Sequence, residues 1–121
     1  MLNKADFEKV LRPVEMAESL PPVCYVDETL FDREMDQAFR GGWVSVGRLD
    51  DLVVPGDYLA LDVGGTPLVL LLDSSHQLRA FANTCRHRGT QLLPPGRGRC
   101  KRIVCPFHAW TYGLDGALLA A

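Results

Sequence analysis

Cys85-Arg86-His87-Arg88-Gly89 and Cys105-Pro106-Phe107-His108-Ala109-Trp110 decide how this chain is read. The first segment is Cys-x-His and the second Cys-x-x-His, with 17 residues between His87 and Cys105. Two of the chain's three histidines and two of its four cysteines fall in these half-sites. Thiolate and imidazole are the donors preferred by zinc and by iron–sulfur centres. Neither half-site can surround a metal alone, but two loops side by side supply four ligands.

Outward from these loops, the pattern is one of short strands. Residues 43–48 read as a strand. Pro55-Gly56-Asp57 reads as a turn, and residues 58–63 as the next strand. Gly64-Gly65 is a two-residue hairpin turn leading into 67–72. The polar turn 73–76 precedes an alternating segment at 77–82. Residues 101–104 and 110–112 are strand candidates among Gly- and Pro-rich loops, and the end of the chain, 116–121, reads as a further strand. Short strands joined by tight turns predict a mainly β domain, a small antiparallel barrel or sandwich. No internal repeat is evident.

The first 42 residues read differently. Residues 5–11 suggest a short helix, and Pro13 suits the first turn of another. Asp27 or Thr29 can cap a helix running to about Arg40, closed by Gly41-Gly42. On it Phe31, Met35 and Phe39 form a stripe with the spacing of core packing. The expected organisation is a helical segment over 1–42 and a β domain over 43–121, with its metal loops at about 84–112.

The chain has 121 residues, of which 47% are hydrophobic and 23% charged, enough for one domain core. The net charge of −2 gives no general case for nucleic acid. No apolar run approaches the roughly 20 residues that span a bilayer. The first ten residues carry charges where a signal peptide has its apolar stretch. A cytoplasmic protein with reduced thiols is expected. Residues 1–60 carry twelve acids and six bases, while 61–121 carry three acids and seven bases. The bases Arg79, Arg86, Arg88, Arg97, Arg99, Lys101 and Arg102 form either a solvated face or a docking face for an acidic partner. Cys24 and Cys100 read as packing or surface thiols and His76 as an exposed histidine.

The order Cys, His, Cys, His on two loops of a β domain closely resembles the Rieske [2Fe–2S] family. The resemblance implies that Cys85 and Cys105 bind one iron, and His87 and His108 the other, outer one. Two thiolates leave such a centre less negative than four would. Rieske potentials therefore lie at roughly −150 to +300 mV, against about −400 mV for plant-type ferredoxins. High-potential members join their loops by a disulfide whose places correspond to Thr90 and Phe107. They also carry a serine, which donates to a sulfide, where this chain has Trp110. Tyr112 sits where a tyrosine can donate to a cysteine sulfur. A potential near the bottom of the range is expected. Arg88 is expected to anchor its loop and Gly89 to permit its turn.

Residues 80–89, the segment 105–112 with Leu114-Asp115-Gly116, the helix before Gly42-Trp43 and the turn at 55–58 resemble the large (alpha) subunits of ring-hydroxylating oxygenases. There the Rieske domain precedes a catalytic domain with a mononuclear iron held by two histidines and a carboxylate. With only His76 to spare, this chain reads as the electron-entry domain alone, cut before that iron. The resemblance implies an NADH-dependent reductase or a ferredoxin as donor. It implies the catalytic domain, often that of a neighbouring subunit in a trimer, as acceptor. A stand-alone Rieske ferredoxin is the alternative reading, and a structural zinc module a third.

Overall fold

The computed structural model describes residues 3–121; Met1 and Leu2, part of the helical segment expected over 1–42, lie outside them. The chain divides into two compact units, one ending at Gly42 and the other spanning Trp43–Ala121.

In the first unit Asn3 caps a 3-10 turn, Lys4–Phe7, shorter than the helix expected over 5–11. The helix expected from Pro13 is a single turn, closed by Met16 N–H donating to the Pro13 carbonyl at 2.8 Å. Helices this short are marginal without a packed face, and no described residue of this unit is buried. Asp27 caps α1, Glu28–Glu34, its side chain accepting from Leu30 N–H at 2.8 Å. Met35–Arg40 then widens into a π turn before Gly41. The widening breaks the i, i+4 register of the stripe. Phe31 is 59% exposed and Phe39 46%, so the expected core packing of Phe31, Met35 and Phe39 is not formed.

The second unit is built from antiparallel sheets. One has the strand order β3-β2-β1-β4: β1 is Asp57–Val63, β2 Thr66–Leu72, β3 Leu78–Ala82 and β4 Gly96–Arg99. The other has the order β5-β6-β7: Ile103–Val104, Thr111–Tyr112 and Leu118–Ala120. Gly64 and Gly65 turn the first hairpin with φ of 59° and 78°, the primed geometry that matches strand twist. Residues 43–48 form no strand. Both edges of β1 are already taken by β2 and β4.

β4 carries no strand signal, yet its glycines have a physical cause. Gly98 stands opposite Tyr58 in the register, and the Tyr58 ring fills the space a Cβ would need. Arg97 and Arg99 alternate with the glycines and pair with Asp51 at 2.6 Å and Asp57 at 2.5 Å. Strand identity here comes from the partner rather than from β propensity. The core beneath is one cluster in which Ala60, Val69, Leu71 and Ile103 pack with Tyr112, Leu114, Cys85 and Cys105.

Asp57 ties the turn before β1 to β4. It accepts from Val53 and Val54 N–H, both at 3.0 Å, as well as from Arg99. The Arg99 hydrogen bond, followed by those two amides, lowers its pKa from 3.8 to about 2. A depressed carboxylate stabilises the fold fully above its unfolded pKa and loses that contribution as pH falls toward the folded value. Asp57→Asn therefore lowers stability at neutral pH, and the gap from wild type closes between about pH 4 and pH 2. Urea melts across that range measure it; a gap independent of pH would contradict the assignment.

Candidate metal centre

The two half-sites share one backbone plan, a repeat that the sequence does not display. In the first loop Cys85 N–H donates to the Thr90 carbonyl at 2.8 Å, and Gly89 N–H to the Cys85 carbonyl at 3.0 Å. In the second, Cys105 N–H donates to the Trp110 carbonyl at 2.8 Å, and Ala109 N–H to the Cys105 carbonyl at 3.0 Å. The flanking pairs are Thr84 with Gln91 and Val104 with Thr111. Each loop is thus six residues closed by a β pair, with a left-handed residue four places after its cysteine.

That residue is Gly89 in one loop, at φ 72°, and Ala109 in the other, at φ 58°. An alanine there carries a steric cost of about 1–2 kcal/mol, partly offset by the lower entropy of its unfolded chain. Ala109→Gly is therefore expected to stabilise the unit by about 0.5–1 kcal/mol. Gly89→Ala destabilises it by a similar amount, through backbone strain alone, because a Cβ at Gly89 would meet nothing within 4 Å. Thermal melts of both variants read the two signs.

The donor side chains separate by depth. Cys85 and Cys105 are each 3% exposed and lie in the core cluster, whereas His87 and His108 are exposed at the loop tips. The two imidazoles face each other edge-on, with centroids 5.0 Å apart and planes at 66°. Among the described residues no three His, Cys, Asp or Glu side chains gather as the ligands of one ion. Two buried sulfurs beneath two exposed imidazoles suit a two-iron centre, with thiolates for one metal and imidazoles for the other.

Tyr112 is buried beside Cys85, its hydroxyl 3.3 Å from Sγ. The phenol oxygen accepts from Arg86 N–H at 3.2 Å, which leaves its own proton for the sulfur. This hydrogen bond, with the N–H groups of His87 and Arg88 and the Cys105 thiol, lowers the Cys85 pKa against the opposing effect of burial. The same bond to Cys85, together with burial, raises that of Tyr112. The Cys85 side is therefore prepared to hold a thiolate.

The other sequence candidates sort clearly. Cys100 is half-buried against the core, and burial raises its thiol pKa. Cys24 is half-exposed and His76 exposed. Arg79, Arg97 and Arg99 pair with Asp73, Asp51 and Asp57, so they are spoken for within the sheet. Arg86, Arg88, Lys101 and Arg102 form no ion pair among the described residues and are exposed. Arg88 serves its loop through its backbone N–H, which faces Cys85. Sequence reasoning missed Asn83, which is 1% exposed. Its amide donates to the Leu93 carbonyl at 2.8 Å and accepts from Leu93 N–H at 2.9 Å. Its position two residues before Cys85 was the available signal.

Two antiparallel sheets, with paired cysteine–histidine loops beside the smaller one, define a small iron–sulfur electron-transfer domain. The chain belongs to the Rieske [2Fe-2S] domain family, whose model matches residues 42–121. It is similar to the glycine betaine monooxygenase oxygenase subunit of Pseudomonas aeruginosa, with 38% identity over 112 residues, 93% of this chain and 26% of that protein. A solved quaternary ammonium Rieske monooxygenase, described with carnitine oxidation and inter-subunit electron transfer, aligns at TM-score 0.78 and 38% identity over 87% of this chain and 29% of its own. Naphthalene 1,2-dioxygenase with indole bound aligns at TM-score 0.75 and 31% identity over 82% of this chain and 22% of its own. The chain thus spans about a quarter of the curated relative's length. No helix among the described residues is long and apolar enough to cross a membrane.

Proposed function

We propose that Cys85 and Cys105 hold one iron of a Rieske [2Fe–2S] cluster, and His87 and His108 the other. In this reading the unit 43–121 is the electron-entry domain of a Rieske non-haem iron oxygenase, preceded by the helical segment 1–42. The observation that carries this is the pairing of buried thiols with exposed imidazoles on two loops of one backbone plan. When bound, the cluster supplies one-electron transfer at a potential above that of four-thiolate centres. The chain's own residues do the rest. The β pairs close each loop, Tyr112 ties the second to the first by its bonds to the Cys85 sulfur and Arg86 N–H, and the core keeps water from both thiolates. The exposed histidine rings are the side through which an electron leaves.

The donor is a reductase drawing on NADH, or a ferredoxin. The acceptor is a mononuclear iron in a catalytic domain of the same or a neighbouring subunit, within a trimer. A cytoplasmic location follows from that partnership. The metal loops serve the redox step and carry no substrate contact. The greater identity to glycine betaine monooxygenase than to naphthalene 1,2-dioxygenase favours a quaternary ammonium substrate over an aromatic one. Oxygen uptake by the full-length oxygenase with glycine betaine, carnitine and naphthalene discriminates them.

The redox test is voltammetry of the loaded chain. A midpoint in the lower part of the range of roughly −150 to +300 mV is expected, and one above about +100 mV contradicts the low-potential reading. Tyr112→Phe removes a hydrogen bond that favours the more negative, reduced state. It should lower the midpoint by about 50 mV, a little under a tenfold change for a one-electron couple.

A further inference from the structure

The four rings at the loop tips are ordered: Trp110, His87, His108, Phe107. Trp110 lies flat against His87, with centroids 4.8 Å apart and planes 8° from parallel. Phe107 covers His108 at 3.8 Å, tilted by 34°. Each candidate imidazole ligand therefore has its own aromatic neighbour, and the two neighbours differ. Trp110 is half-buried and packs against the core cluster, and its carbonyl closes the second loop by accepting from Cys105 N–H. Phe107 is 58% exposed.

The stack with Trp110 also crosses between loops. Trp110 belongs to the Cys105 loop, yet its ring lies on the histidine of the Cys85 loop. Thr90, at the equivalent place in the first loop, bears no ring to return the contact. We infer that Trp110 is the positioning residue for His87, fixing the plane of its ring from the second loop before any metal is bound. Resting on the ligand assignment above, this inference makes the two histidines unequal. His87 is clamped by a residue rooted in the core, while His108 lies between His87 and the exposed Phe107. A flat stack leaves the ring free to slide and turn in its plane but not to tip, so it confines the nitrogen lone pairs to that plane. Side chains that orient a ligand in this way govern metal retention as well as spectroscopy.

The test uses the 121-residue chain and the variants Trp110→Leu, Trp110→Phe and Phe107→Leu. In the metal-free chain, the ring protons of His87 should be displaced upfield by the indole current. The displacement should vanish in Trp110→Leu, return in part in Trp110→Phe and persist in Phe107→Leu. In the reduced, loaded chain, pulsed EPR should find one of two nitrogen couplings broadened in Trp110→Leu and sharp again in Trp110→Phe. Cluster loss to a chelator should quicken about tenfold in Trp110→Leu. His87 protons without the upfield displacement in the metal-free wild type would overturn the inference. So would equal broadening of both couplings in Trp110→Leu, which is the sign of general loosening. Should Trp110→Leu fail to fold, the metal-free wild type and Trp110→Phe still decide. A wild-type chain that takes up no iron and sulfide refutes the ligand assignment instead, and the metal-free measurement still judges the stack.

Discussion

Cys85→Ser yields a chain that takes up neither iron nor acid-labile sulfide, and Cys105→Ser does the same. Both thiols are 3% exposed and lie in the core cluster, so a hydroxyl in either place is a hard, neutral donor in a site shaped for a soft anion. At Cys85 the loss is compounded, because Tyr112 and the N–H groups of His87 and Arg88 favour a negative charge there. In the proposed cluster, removing one thiolate would also leave the first iron with a single protein sulfur, and binding free energy of this kind is lost cooperatively. Cys24→Ser and Cys100→Ser retain full iron and sulfide, because neither lies in a loop with a histidine. Metal and sulfide analysis of the four variants is the check. Retention of the cluster in Cys85→Ser, or its loss in Cys100→Ser, would reassign the site.

Asn83→Ala costs about 3 kcal/mol, the largest stability effect expected of any single polar side chain here. Asn83 is buried, and its amide answers both backbone groups of Leu93. In the alanine variant the Leu93 carbonyl keeps Gln91 Nε2, at 2.9 Å, but the buried Leu93 N–H has no other partner. Asn83 also holds the entry to the first loop to β2, its own N–H donating to the Pro67 carbonyl at 2.8 Å. The melting midpoint should fall by about 15 °C, given roughly 4–8 °C per kcal/mol in a domain of this size. Asn83→Asp is the sharper control. It can still accept from Leu93 N–H but sets a buried carboxylate oxygen against the Leu93 carbonyl, so at neutral pH its midpoint should lie no higher than that of Asn83→Ala. A midpoint unchanged in both variants would remove Asn83 from the support of the loop.

Much of the β unit can be read from local rules. β1 and β2 follow from apolar runs on either side of Gly64-Gly65, and β3 from the alternation after the polar turn at 73–76. The four candidate donors come from spacing, and in the structure the two sulfurs are buried while the two imidazoles are exposed and meet edge-on. What escapes the sequence is decided by partners distant along the chain. Gly96–Arg99 is a strand because Tyr58 needs a glycine opposite and Asp51 and Asp57 need arginines. Residues 43–48 have strand composition but no free edge beside β1. The Phe31, Met35 and Phe39 stripe implies a packed face, and the π turn at Met35–Arg40 disperses it. The repeat of the two loops lies in hydrogen bonds and φ angles that unlike residues, Gly89 and Ala109, satisfy equally.

The central claim is that two sulfurs and two imidazoles of this chain share one two-iron centre. Pulsed EPR of the reduced, loaded chain, made with nitrogen-15 histidine, tests it most directly. Two histidine nitrogen couplings to the cluster spin are predicted, one lost in His87→Ala and the other in His108→Ala. A reduced cluster with no histidine nitrogen coupling, or a chain that binds zinc without iron and sulfide, would contradict it.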